Sequence, residues 1–270
     1  EEENLDRMVF LTKGLVNGYI PVGKFNLLLD KFLKFNQYES VRLGAGVETG
    51  EGLFGPIRIA AFGGYGFKDK AFKYGSHIRW APKNSRQFET KFSYANDLMA
   101  VGRANFFKTS GMLISGGEFQ NFINDQYDTQ EKWEGSISFR ALRDFHFTFF
   151  GNQQNRDINS TYQFIGANGE PTSSFSATEV GVNFRFSFNE KFGEMLGVTI
   201  PLETKNPVIN FKYTKGLSEM GGDFEYDKID LSFSKKFTIR NAGITSLQAD
   251  FGYVRNSIPL TALYSLKGIF

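Results

Sequence analysis

Apolar and polar residues alternate along most of the chain with a period of two, the spacing that puts successive side chains on opposite faces of a β-sheet. The clearest stretch is 179–188, where Val180, Val182, Phe184, Phe186 and Phe188 alternate with Glu179, Gly181, Asn183, Arg185 and Ser187. In 41–48, Val41, Leu43, Ala45 and Val47 stand against Arg42, Gly44, Gly46 and Glu48. In 57–67, Ile57, Ile59, Ala61, Gly63, Tyr65 and Phe67 stand against Arg58, Ala60, Phe62, Gly64 and Gly66. Segments 72–80, 88–96, 133–141, 145–153, 208–214, 229–237 and 247–253 repeat the pattern, which predicts ten strands in all.

Residues 9–21 read as an eleventh strand, weakened by Gly14, Gly18 and Pro21. The stretch 24–34, with Phe25, Leu27, Leu28, Leu29, Phe32 and Leu33, reads as a short helix. The chain thus divides into a lead-in over 1–38, holding that strand and helix, and a β-domain over 39–270. Tight turns are expected at 68–70, 82–86, 142–144 and around 240–241, and long loops at 98–130 and 156–176. Short turns at one rim and long loops at the other are the habit of a transmembrane barrel.

Composition narrows the field. The 270 residues include 31 Phe, 11 Tyr and 29 Gly at a mean hydropathy of −0.31, which is material for strands and excludes a disordered chain. The absence of cysteine removes disulfide scaffolds, thiolate metal sites and cysteine nucleophiles. Charges are nearly balanced, 31 Lys and Arg against 29 Asp and Glu, so no nucleic-acid partner is expected. No apolar run is long enough for a transmembrane helix, but a barrel strand needs only about ten residues with one apolar face.

Alternation alone fits a soluble β-sandwich or lipocalin-like barrel as well as a membrane barrel. Three features favour the membrane. The polar face carries many Gly and the charged or ionisable residues Arg42, Glu48, Arg58, Lys73, His77, Arg79, Glu89 and Lys91, which suits a hydrated or tightly filled lumen. Aromatic residues gather at strand ends, as do Tyr65, Phe67, Phe72 and Tyr74 about the 68–70 turn, where interfacial rings belong. The strands are also long enough to span a hydrocarbon band when tilted. The expected fold is therefore an all-β, antiparallel transmembrane β-barrel with about 10–12 strands in this chain.

The segment Asn36-Gln37-Tyr38-Glu39-Ser40-Val41-Arg42-Leu43-Gly44 and the hairpin Tyr65-Gly66-Phe67-Lys68-Asp69-Lys70-Ala71-Phe72-Lys73-Tyr74-Gly75 resemble a family of Gram-negative outer-membrane barrels of unassigned function. Members of that family commonly carry an N-terminal carboxypeptidase-regulatory-like β-sandwich. The matching residues are Asn36, Glu39, Arg42, Asp69, Phe72, Lys73 and Tyr74, while Ser40 stands where the family usually has Gly. Similar pieces recur at Gly221 to Tyr226 and Ile258 to Leu260, so the likeness covers roughly 20–265 and is specific over 36–80. It implies an outer-membrane barrel and no reaction. Two departures, no room for the sandwich and an end at Phe270 where the family continues, lead to the expectation of a fragment.

Parity points the same way. With the long loops facing outward, strand 39–49 runs inward and requires one earlier strand, for which 9–21 is the candidate. Eleven strands is an odd number, so a closing strand beyond Phe270 is expected.

Catalytic constellations are not evident. His77 and His146 each lie in a predicted strand without a second ligand at useful spacing, and read as lumen or network residues. Gly63-Gly64-Tyr65-Gly66 lies within a strand and precedes no helix, so it is not a phosphate cradle. The pairs Glu131 with Glu134 and Asp223 with Glu225 read as solvated strand ends, and Ser110, Asp125, Asp128, Asp157 and Ser160 as loop residues with no histidine beside them. The expectation is a non-enzymatic outer-membrane protein with no cofactor or metal. Its partners would be the lipid bilayer and other envelope proteins, and its work transport, envelope assembly or surface presentation. The alternative is a soluble binding module with ligand contacts in the long loops.

Overall fold

In the computed structural model, the structure describes residues 18–82, 88–101, 126–142, 144–159, 163–165, 169–188, 192–195, 198–201, 206–239 and 243–264. The strands are β1 (Tyr19–Val22), β2 (Phe25–Leu28), β3 (Leu33–Asn36), β4 (Ser40–Thr49), β5 (Ile57–Gly66), β6 (Phe72–Trp80), β7 (Glu89–Ala100), β8 (Tyr127–Ala141) and β9 (Phe145–Asp157). They continue with β10 (Phe164–Ile165), β11 (Pro171–Thr172), β12 (Ser174–Ser187), β13 (Phe192–Met195), β14 (Val198–Pro201), β15 (Val208–Gly216), β16 (Tyr226–Ile239) and β17 (Gly243–Arg255). Among the described residues helix is confined to one turn at Glu51–Phe54 and two 3₁₀ turns, Leu29–Lys31 and Leu260–Ala262.

Thirteen strands form one antiparallel sheet in the order β1-β2-β4-β5-β6-β7-β8-β9-β12-β15-β16-β17, with β3 off this path, beside β4 on the same edge as β2 and nearer the upper rim. The hairpins β10–β11 and β13–β14 stand apart from it. Each long strand is the antiparallel neighbour of the next in sequence, as short connections dictate. The connections fall on two rims. The connections 37–39, 67–71, 101–126, 158–173 and 217–225 begin and end at strand ends on the upper rim, and 50–56, 81–88, 142–144, 188–207 and 240–242 at strand ends on the lower rim. Among the described residues the sheet is open, since β1 and β17 are not paired with each other.

All ten strands expected from alternation are present, and several are longer. The long loops shrink accordingly: β7 runs to Ala100, β8 starts at Tyr127, and β12 starts at Ser174. Asp128 and Asp157 thus lie in strands, not loops, while Ser110, Asp125 and Ser160 lie outside the described residues. The division of rims into long loops and short turns is also incomplete, because the lower rim holds the long connection 188–207 with its own hairpin.

The expected helix over 24–34 is not there. β2 and β3 lie along the same edge of β4, Leu27 opposite Val47 and Leu33 opposite Leu43, so 25–36 is one wall strand interrupted by the 3₁₀ turn. The turn folds onto the polar face of β4, where Phe32 C=O accepts from Gly44 N–H at 3.1 Å. A Cβ at Gly44 would stand 2.8 Å from the Lys31 carbonyl, and one at Gly46 2.8 Å from the Lys31 side chain, so these two glycines make the room. The clustered leucines follow an interrupted strand, not a helical face. Of the strand expected at 9–21, the structure describes 19–22, and 9–17 lie outside the described residues. With 25–36 counted as one, the sheet has twelve ladder positions among the described residues, one more than the eleven expected, the addition being 25–36 itself.

Candidate functional site: an apolar outer face over a buried polar face

The register gives every strand a polar and an apolar side, and exposure is inverted relative to a soluble fold. β6 shows it cleanly: Phe72, Tyr74, Ile78 and Trp80 are exposed, Phe72 to 71%, while Lys73 is buried and His77 and Arg79 are half-buried. Across the described residues, thirteen polar or charged side chains are buried against seven hydrophobic ones, and thirty-one large hydrophobics are exposed. A soluble sandwich buries its apolar faces; this sheet presents them.

The expected aromatic group lies on the exposed face at the upper rim. The Tyr65 ring meets Phe67 at 5.7 Å and Phe72 at 4.9 Å, and Tyr74 leads on to Tyr94 at 6.1 Å and Trp133 at 4.3 Å. Tyr94 donates to Glu131 at 2.9 Å and Tyr213 to Asp227 at 2.5 Å, so apolar rings keep a polar end toward the rim. Tyr94, Trp133 and Tyr213 escaped the sequence reading because it counted rings only beside a tight turn. Lower on the same face, Phe139, Phe147, Phe149, Phe145, Phe184 and Phe186 form a continuous phenylalanine band across β8, β9 and β12.

The expected polar-face residues are brought together in two groups. At the upper rim, fully buried Glu39 accepts from Arg42 Nε at 2.7 and 3.0 Å and from Asn36 Nδ2 at 2.7 Å. Asn36 Oδ1 in return accepts from Glu39 N–H. Lys73 stands 3.4 Å from Glu39 and pairs with Asp69. Arg42 Nη1 reaches Asp97 at 2.6 Å, and Lys34 approaches the same carboxylate at 4.0 Å. Three acids and three bases close the set. The turn 37–39 is thereby tied to the 67–71 hairpin, where Lys68 N–H donates to Glu39 C=O and Phe67 N–H to Val41 C=O. Ser40, in the place of the usual Gly, has φ +63, the left-handed region that favours Gly. On the adjoining turn, burial and then the carboxylates of Asp69, Glu39 and Asp128 raise the Tyr38 phenol above its ordinary pKa.

Nearer the lower rim, Glu48 lies 3.4 Å from His77 Nε2 and 3.6 Å from Arg79, whose other nitrogen reaches Glu89 at 3.5 Å. Arg58 Nη1 donates to Gly55 C=O at 2.9 Å, and Lys91 lies directly across from Arg79. Asp97 and Lys34 were missed by the sequence reading because Asp97 was placed at a loop boundary and Lys34 in a helix. Glu131 and Glu134 are no pair at all, since their odd spacing on β8 sends them to opposite faces.

Rings on the polar face lie over glycines of the next strand. Phe62 stands opposite Gly75 and Phe150 opposite Gly181, and a Cβ on either glycine would come within 2.6 Å of the ring. Lys31 caps Phe62 at 4.7 Å and Lys212 caps Phe150 at 5.0 Å, a cation over each ring. A conventional apolar core occurs at the upper rim, where Phe175 meets Phe164 and Phe224 at 5.8 Å each beside Ile158 and Ala177. Among the described residues no group of three His, Asp or Glu is placed to hold a metal, and no helix is long and apolar enough to cross a membrane.

No curated protein matches the chain. Among solved structures it is similar to BamA from Haemophilus ducreyi lacking POTRA domains 1-3, at 9% identity and a TM-score of 0.52, covering 97% of this chain. It spans 50% of that BamA chain, and the likeness is one of barrel fold. Residues 22–258 match the family model described as "Family of unknown function (DUF5686) C-terminal domain", and the chain therefore belongs to that family.

Proposed function

We propose that this chain is a non-enzymatic outer-membrane β-barrel of a Gram-negative envelope, with the lipid bilayer as its standing partner and other envelope proteins meeting its loops. The observation that carries this reading is the inverted burial: Phe72, Phe92 and Ile78 lie open to the surroundings while Glu39 and Lys73 are sealed within. Hydrocarbon satisfies that arrangement and water does not. The likeness to a BamA barrel and the family's barrel resemblance support the same location.

Transport, envelope assembly and surface presentation all use such a wall. Glu39, Asp97, Glu48 and Glu89 each face a nearby cation, as in a network that fills and stiffens a lumen. Purified chain is expected to require detergent and to migrate faster on a gel unboiled than boiled. Free solubility without detergent would return the chain to the soluble binding-module reading. Single-channel recording in a planar bilayer separates a conducting pore from a filled scaffold, and the mixed charges predict weak ion selectivity.

A further inference from the structure

The hairpin β16–β17 carries on its polar face a segment that belongs to no strand. Asn256, in the left-handed region at φ +70, turns the chain as it leaves β17, and its Nδ2 donates to Glu225 C=O at 3.2 Å. Residues 256–264 then pass inward from the upper rim: Lys228 Nζ donates to Ala262 C=O at 3.2 Å, and the Tyr264 hydroxyl donates to Asp230. Lys228 and Asp230 stand opposite Val254 and Gly252, so Ala262 and Tyr264 mark successive depths below the rim. Pro259 is buried on the way, and its carbonyl accepts from Ala262 N–H at 2.9 Å in the 3₁₀ turn. The stretches 221–226 and 258–260, both singled out in the sequence, adjoin at this turn of the chain.

Tyr264 repeats a joint that the wall uses elsewhere. Tyr226 on β16 lies across Gly216 of β15 and donates to Glu179 of β12, the strand beyond. Tyr264 lies across Gly252 of β17 and donates to Asp230 of β16. In both joints a Cβ on the glycine would run into the ring.

The two joints differ in what stands behind them. Tyr226 is 4% exposed and belongs to a ladder, whereas Tyr264 is half-buried. Among the described residues no ladder joins 256–264 to a strand. Its hold on the polar face rests on the Tyr264 hydroxyl, on Lys228 Nζ 4.4 Å over the Tyr264 ring, and on the Ala262 carbonyl. A segment held by so few contacts opens at far lower cost than the wall beneath it. What it covers is charged: Asp230 is 4% exposed, with Lys212 directly across on β15 and Lys228 two residues away on the same face.

We propose that residues 256–264 form a strap latched by Tyr264. Docked, it shuts Lys228 and Asp230 off from the upper mouth; lifted about Asn256, it opens them to the lumen. The proposal rests on the barrel reading, in which the polar face lines the interior.

The chain has no cysteine, so a single introduced thiol reports on the strap. Val254→Cys places one on the polar face opposite Lys228, and Ser138→Cys places a control on the polar face of β8. In the full chain folded in detergent, Tyr264→Phe keeps the ring and removes the hydroxyl. The Val254→Cys thiol is then expected to react with a water-soluble maleimide on the order of 10-fold faster, the effect of one hydrogen bond to a charged acceptor. Gly252→Val, which evicts the ring, should speed it further, with the Ser138→Cys control unchanged. Amide exchange at Ala262 and Leu263 should rise with Tyr264→Phe while β6 stays slow. Labelling at Val254→Cys that Tyr264→Phe leaves unchanged overturns the proposal and makes the segment a fixed part of the wall. An equal rise at the control thiol or in β6 overturns it as well, since the hydroxyl would then act on the whole fold. Loss of the heat-dependent gel shift in the unmodified chain would instead refute the barrel reading itself.

Discussion

Strands β6 and β17 carry the same alternation, yet only β6 expresses it as burial. On β6, Lys73 is 2% exposed between Phe72 and Tyr74, because β5 and β7 flank it and Glu39 and Asp69 neutralise it. On β17, Gln248 and Asp250 are as open as Leu247 and Phe251, with β16 as the one flanking strand among the described residues. Alternation assigns faces; a buried polar face further requires neighbours on both edges and charges that meet.

The largest effect should come from breaking the neutral set behind β6. Glu39→Gln leaves Arg42 and Lys73 buried beside an amide and is expected to cost about 3–5 kcal/mol, read as a drop in the urea midpoint of the detergent-folded chain. Asp250→Asn on β17 is expected to stay within about 0.5 kcal/mol. Equal effects would erase the contrast between the strands.

Next come the exposed apolar positions. Ile78→Arg should cost about 2–4 kcal/mol in a bilayer if the face meets lipid, and Leu247→Arg a similar amount if β17 reaches the belt. In a soluble protein both exposed sites would accept arginine at little cost, so refolding yields into lipid vesicles decide the matter. Gly181→Val pushes into the Phe150 ring and is expected to cost about 1–3 kcal/mol, whereas Gly63→Val, with open space around it on the apolar face, should be neutral. The smallest effect is a gain: Ser40→Gly relieves a left-handed backbone by about 1 kcal/mol, seen as a small rise in the same urea midpoint.

The face of each long strand was legible in the sequence because lipid and lumen impose opposite demands on neighbouring residues. The ends were less legible. Beyond Trp133, Gly151 and Val180, the apolar-face positions become Glu131, Gln153, Asn155, Ser176 and Thr178, although the ladders continue. On β8 and β9 both faces are then polar, and on β12 the apolar residues Phe175 and Ala177 change to the other face, so the simple alternation is lost while the strands persist and the loops look longer in sequence than they are. The 25–36 strand reads as a helix because Leu27 and Leu33 lie on opposite sides of the inward turn Leu29–Lys31, which no local periodicity encodes. Of the upper-rim cluster, Asn36, Glu39, Arg42, Asp69 and Lys73 were visible through a family-like motif, while Lys34 and Asp97 required the register that carries them to the same place.

The Phe164, Phe175 and Phe224 cluster at the upper rim has a consequence of its own. It joins the β10–β11 hairpin and the 217–225 connection to the mouth through ring contacts, outside the hydrogen-bonded ladder. The 217–225 connection is also tied to β12 by hydrogen bonds, Leu217 N–H to Thr178 C=O and Asp223 N–H to Ser176 C=O, whereas among the described residues β10–β11 pairs only with itself and meets the wall through the Phe164 ring. New segments grafted between Ile165 and Pro171 should therefore change the upper rim while the wall beneath keeps its register.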